Sequence, residues 1–135
     1  MFLNALNSFH PSIKFTSETE CGGYFSFLDA KICRYVTSEE ANKVFTRVFR
    51  KSTYTHLLIN WKSWCPKKNK IAIIKGLHER ARRICTTVED FKLELAHISN
   101  ILKLNGYPRK LISNMEGYSL NIRNKFGILI EKQFT

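Results

Sequence analysis

The sequence predicts an α+β chain: a small antiparallel sheet in the first half, followed by a three-helix bundle. Two observations carry that expectation. Aromatic and β-branched residues alternate through "YFSFLDAKICRY" and "VFTRVFRK", the period of strands. From residue 70 onward, apolar residues recur at i, i+3 and i+4, the period of amphipathic helices.

The first half opens on "FLNALNSF", which puts Phe2, Leu3, Leu6 and Phe9 on one side of two helical turns before His10-Pro11 stops it. "SIKFT" alternates Ile13 and Phe15 as a short strand, and "SETECGG" closes as a loop on Gly22-Gly23. "YFSFLDAKICRY" reads as a strand, "SEEANK" as a turn or loop, and "VFTRVFRK" as a further strand. "STYTHLLINWKSWCPKKNK" is a polar transition with two tryptophans and a basic end.

In the second half, Ile71, Ile74, Leu77, Ala81, Ile84 and Cys85 form the apolar side of a helix over 70–85. Thr86 and Glu89 then make a T-x-x-E capping-box pattern. The next stripe is Val88, Phe91, Leu95, Ile98 and Leu102, ended by Asn105-Gly106 in a left-handed stop. Tyr107-Pro108 starts a third helix with Leu111, Ile112 and Met115 inward. Beyond Gly117 the reading stays open, "FGILIE" fitting either a strand or a helical tail. The organisation expected is 1–51 sheet, 52–69 basic linker, 70–116 helical domain and 117–135 unassigned.

Charge narrows the function. Twenty-two Lys and Arg against eleven Asp and Glu give +11 and a pI of about 9.7, a balance that favours polyanionic partners. Residues 62–83 concentrate it: eight cations against Glu79 alone, a net +7. Lys75, Glu79 and Arg83 lie at i, i+4 spacing and would absorb part of that surplus in a surface ladder. No run of about 18 apolar residues is present, and "MFLNALNSF" lacks the pattern of a secretory signal, so an intracellular place, nuclear or cytoplasmic, is expected.

Catalysis is not expected. The only aspartates, Asp29 and Asp90, stand in different halves, whereas two-metal phosphoryl transfer needs clustered carboxylates. Neither a Walker A, a G-x-S-x-G nor an H-E-x-x-H motif occurs, and Cys21, Cys33, Cys65 and Cys85 have no zinc spacing. No cofactor and no metal site are expected, and the thiols should be reduced.

Basic side chains near Tyr54, Trp61, Trp64 and Tyr107 fit phosphate neutralisation combined with aromatic contact, although core packing is the commoner role of a tryptophan. An independent helix-turn-helix-like DNA-binding module is a second expectation, built from the helix over 70–85, a two-residue turn and the helix over 88–104. Its second helix, however, begins "VEDFKLE", net acidic where a recognition helix needs polar or basic residues.

The ordered set "FLNALNSFHPSIKFTSE", "FSFLDAKI", "VFRKSTYT", "NWKSWCP", "IIKGLHERARRIC" and "LKLNGYPRKLI" resembles the carboxy-terminal part of the reverse transcriptase of Penelope-like retroelements, over about residues 2–115. The resemblance implies that residues 1–51 are the end of a palm and 70–116 a thumb, with the catalytic aspartate pair upstream, in a palm domain missing here. It implies a primer-grip-like hairpin at Phe27, Leu28 and Asp29. Lys51, Trp61, Lys75, Arg80 and Arg82 would lie near the template–primer duplex, RNA–DNA or DNA. Lys67, Lys68 and Lys70 of the basic run join that expected surface on charge alone. Ser26 and Ser52 depart from the family's usual prolines, and nothing after Gly117 matches it. On this reading the isolated chain binds nucleic acid without polymerising it.

Overall fold

A computed structural model describes residues 2–37 and 40–133, with side chains described over 2–34 and 44–124. The elements run α1 (Phe2–Ser8), β1 (Tyr24–Phe27), β2 (Ala30–Thr37), β3 (Glu40–Val48), α2 (Lys67–Ile84), α3 (Val88–Leu104) and α4 (Arg109–Gln133). The three strands form one antiparallel meander in the order β1-β2-β3. This is the α+β arrangement expected, a small sheet followed by three helices.

Three expectations for the first half are corrected. "SIKFT" forms no strand: the Asn7 amide takes over its pairing, accepting from Phe15 N at 2.6 Å and donating to Phe15 O at 3.1 Å. "YFSFLDAKICRY" is two strands, not one, because the chain reverses over Leu28-Asp29, Leu28 taking a left-handed φ of 53°. Residues 40–43, expected in a loop, already belong to β3; Ser38 and Glu39 lie outside the described residues.

The helical half is closer to expectation. The core is built from Ile74 and Ala81 of α2 with Cys85 just after it, Phe91, Leu95, Ile98 and Leu102 of α3, and Tyr107 and Ile112 around the start of α4. Val88 is exposed and does not join them. The capping pattern shifts by one residue. Thr87, not Thr86, is the N-cap of α3, accepting from Asp90 N at 3.1 Å. Thr86 is committed elsewhere, its N–H donating to Thr46 O at 2.9 Å and its hydroxyl accepting from Thr46 N at 3.0 Å. That pairing, with Thr46 Oγ1 donating to Ile84 O, fastens β3 to the α2–α3 turn. A bidentate Arg50–Glu94 ion pair adds a second fastening between the end of the sheet and α3. Burial opposes the charge on Arg50, yet its bond and ion pair with Glu94 hold its pKa above the ordinary guanidinium value.

The α3–α4 turn follows the sequence signal. Gly106 takes φ 79°, and Tyr107 N donates to Leu102 O at 3.0 Å. Beyond it, α4 runs straight through Gly117 to Gln133, so the segment over 117–133 is helix. Gly117 costs roughly 1 kcal/mol relative to alanine inside a helix; Ser119, Leu120 and Arg123 beyond it pack against the rest of the bundle.

Candidate nucleic-acid interface

The segment before α2 is irregular yet tightly held, and Asn105 holds it. Its Oδ1 accepts from Leu58 N at 3.0 Å, and its Nδ2 donates to His56 O and Ile101 O, both at 2.9 Å. Trp61 N donates to Asn105 O, and Tyr107 Oη donates to Ile59 O, both at 3.0 Å. Residues 56–63 therefore lie along the α3–α4 turn, and α2 starts beside the place where α3 ends and α4 begins.

This juxtaposition gathers positive charge. Neither residues 57–78 nor residues 95–115 contain a single Asp or Glu, and together they carry eight Lys or Arg. All the carboxylates of the segment 57–115 (Glu79, Glu89, Asp90, Glu94) sit toward the opposite end of α2 and α3. The exposed members of the basic end are Lys62, Lys67, Lys68, Lys103, Arg109 and Lys110. Trp64 stands fully exposed among them.

The outward face of α4 continues from that end. Arg109, Lys110, Ser113, Asn114, Gly117 and Asn121 are all exposed and, at 100° per residue, fall within an arc of roughly 140°. Apart from the half-buried Leu120, every side chain on the arc is cationic, a hydrogen-bonding polar group or absent, and none is a carboxylate. On the remaining circumference Ile112, Met115 and Ser119 turn into the bundle, Tyr118 is exposed, and the half-buried Glu116 accepts from Ser99 Oγ at 3.3 Å.

The residues expected on nucleic acid divide. Lys67 and Lys68 are exposed at the start of α2, as is Lys75 two turns on; none has an ion pair among the described residues. Lys51 is exposed beside a cleft at the tip of the β1–β2 hairpin. Phe27 and Leu28 are exposed at that tip, while Asp29 is held there, its carboxylate taking Arg80 Nε at 2.8 Å and its carbonyl Phe49 N at 2.7 Å.

Lys70 is a correction. It is buried, and its ammonium donates to Trp61 O at 2.6 Å and Ser63 O at 2.7 Å. Its job is to satisfy the carbonyls of the preceding loop. Trp61 is corrected with it: half-buried, 5.3 Å from the Tyr107 ring and lying under the Lys70 ammonium, it packs in the core. Arg80 and Arg82 do not form a common surface, since two residues of separation puts them on nearly opposite sides of α2. Arg80 bridges to the hairpin, and Arg82 holds Glu79 at 2.6 Å. The surface ladder runs from Glu79 to Arg82 and Arg83, whose bonds push its carboxyl down to about 2; Lys75 takes no part.

With this geometry in place, comparison with known families gives one match. Residues 57–115 are similar to an animal helix-turn-helix domain. The match covers α2, α3, the turn and the first quarter of α4, rather under half of the chain. No curated protein and no solved structure matches, and no comparison brings a reverse transcriptase. Among the described residues, no cluster of His, Cys, Asp or Glu could hold a metal ion, and no helix is long and apolar enough to cross a membrane.

The helix-turn-helix-like unit contains two candidate pairs. In the pair α2–α3, expected from the sequence, the second helix opens on Glu89 and Asp90. In the pair α3–α4, four residues including Gly106 join the helices, and the second helix opens on Arg109 and Lys110 with no acidic residue in its first turn. The sequence reading missed this pair because it followed α4 only for its inward residues. The spacing of Lys110, Asn114, Gly117 and Asn121 on a carboxylate-free face was the available signal.

Proposed function

We propose that the helix-turn-helix-like unit binds duplex DNA, with α4 entering the major groove as the reading helix and the basic end holding phosphates. One observation carries the reading: the outward face of α4 offers Arg109, Lys110, Ser113, Asn114 and Asn121, and no carboxylate, over a span of about 18 Å. Arginine and lysine pair with guanine edges and asparagine with adenine, so these side chains supply base contacts. Lys62, Lys67, Lys68 and Lys103 supply sequence-independent affinity through counterion release. Such a role involves no bond-making chemistry and belongs in the nucleus or another intracellular compartment that holds DNA.

The test is selection from a random duplex pool, followed by salt titration. The wild-type chain should enrich a short motif. Asn114→Ala should relax preference at one or two positions, and Lys67→Gln with Lys68→Gln should weaken all sequences alike, flattening log K against log salt by roughly 1.8. Arg80→Ala should flatten it less, because Asp29 already occupies Arg80. Absence of duplex binding at low salt, or α4 variants that bind as wild type does, would refute the proposal.

A second reading is supported by the Arg80–Asp29 bridge, which keeps the tip of the hairpin against α2. It takes the chain as the palm end and thumb of a Penelope-like reverse transcriptase, with Phe27 and Leu28 gripping a primer end and Lys51 nearby. It requires RNA–DNA hybrid to be preferred over DNA duplex, with Leu28→Ala weakening the hybrid specifically. Equal affinity for the two duplexes would remove it and leave the first reading standing.

A further inference from the structure

We propose that the cleft between α2 and α4 binds a small organic anion whose apolar body also carries a hydroxyl or N–H donor. The cleft holds about 430 Å³ and is walled by Lys75, His78, Glu79 and Arg82 on one side and Met115, Tyr118 and Ile122 on the other. This volume accommodates a substituted ring, and the α4 wall is apolar apart from the Tyr118 hydroxyl and Ser119.

The polar requirements come from His78, which is 3% exposed. Ser119 Oγ donates its only proton to Met115 O at 2.9 Å. Its lone pair therefore takes the 2.7 Å bond from His78, which assigns the proton of the imidazole to Nδ1. Burial holds the His78 pKa below the ordinary histidine value, so the ring is neutral and Nε2 carries a lone pair. That Nε2 is buried and has no hydrogen-bond partner among the described residues. It calls for a donor, which a carboxylate alone does not have.

The anion requirement comes from Lys75. It is exposed, lines the cleft and makes no ion pair among the described residues, because the one carboxylate on α2, Glu79, is bonded to Arg82 and Arg83. Donor, anion and apolar body together describe a hydroxyaryl or aminoaryl carboxylate better than a lipid, a nucleotide or a simple inorganic ion. The site is independent of any contact with nucleic acid.

The experiment uses the full chain and three probes: 3-hydroxybenzoate, benzoate and phenol. 3-Hydroxybenzoate should saturate the protein and shift the ¹⁵N resonance of His78 Nε2. Benzoate should bind about tenfold more weakly, the loss of one buried hydrogen bond, and leave that resonance in place. Lys75→Gln, a surface change that spares the fold, should weaken 3-hydroxybenzoate by about tenfold and leave phenol unaffected. The proposal falls if no probe saturates at millimolar concentration, if Lys75→Gln binds 3-hydroxybenzoate as wild type does, or if the Nε2 resonance never moves.

Discussion

Replacing Asn105 by alanine removes the side chain that makes the most bonds between the loop before α2 and the α3–α4 turn. Three bonds go: Leu58 N–H to Oδ1, and Nδ2 to the carbonyls of His56 and Ile101. The Ile101 carbonyl keeps the Asn105 backbone N–H, at 3.1 Å, so its loss is small. Leu58 N–H and His56 C=O are left without their partners in a half-buried setting. At about 1–1.5 kcal/mol for each of these, and about 0.5 kcal/mol for the third, the cost is about 3 kcal/mol. For a chain of this length, that lowers the thermal midpoint by about 10 °C. Urea unfolding followed by circular dichroism measures the change. Asn100→Ala, on the exposed side of α3, is the control and should stay within about 0.5 kcal/mol of wild type. Asn105→Asp should fall at least as far as alanine, because it puts a carboxylate against two carbonyls. If Asn105→Ala unfolds with wild type, the loop is held by Trp61 and Tyr107 packing instead, and the reasoning is wrong.

Four further outcomes follow from the same contacts. Thr87→Ala should cost about 1 kcal/mol in urea unfolding through loss of the α3 cap, with Thr87→Ser restoring most of it. Lys70→Ala should destabilise the fold by about 2–3 kcal/mol, since two carbonyls lose a charged donor; its effect on the salt slope of DNA binding should be smaller than that of Lys68→Gln. Burial lowers the pKa of both His78 and His97 in the folded chain. The unfolded chain therefore binds more protons below about pH 6.5, and stability, full above that value, should fall as pH drops through it. A urea midpoint that holds or rises between pH 7.5 and 5.5 would contradict this, and His78→Gln should flatten the decline. Leu28→Gly should be tolerated or slightly stabilising, because the left-handed φ of 53° favours glycine.

The helices were legible because periodicity and punctuation agree in this half. Phe91, Leu95, Ile98 and Leu102 stand in the core as their spacing requires, and Asn105-Gly106 ends α3 where the dipeptide indicates. What the sequence could not show was tertiary competition. Thr86 has as good a capping hydroxyl as Thr87, but β3 claims it. Asn7 removes Phe15 from any sheet, and Lys70 looks like a solvated cation until the carbonyls of residues 61 and 63 are placed over it. Charge counting failed for the same reason. It registered Arg80 and Arg82 as surplus because their partners lie 51 residues away in one case and on the same helix in the other. The basic end emerges only when the beginning of α2 and the end of α3 are brought side by side.

Arg123 has a consequence for anyone who would move this unit into another protein. Its guanidinium lies 4.7 Å from the centre of the Phe91 ring and donates to Thr86 O and Thr87 O, at 2.8 and 3.0 Å. It thus lids the corner between α2 and α3 from a point eight residues past the end of the family match, as Thr46 does from eleven residues before its start. The matched stretch and the stretch that packing closes have different borders. A graft trimmed to 57–115 would lose Gly117 and Asn121 from the outward face of α4 and leave that corner open on two sides, whereas one cut at 44–124 would keep both and take its own cover along.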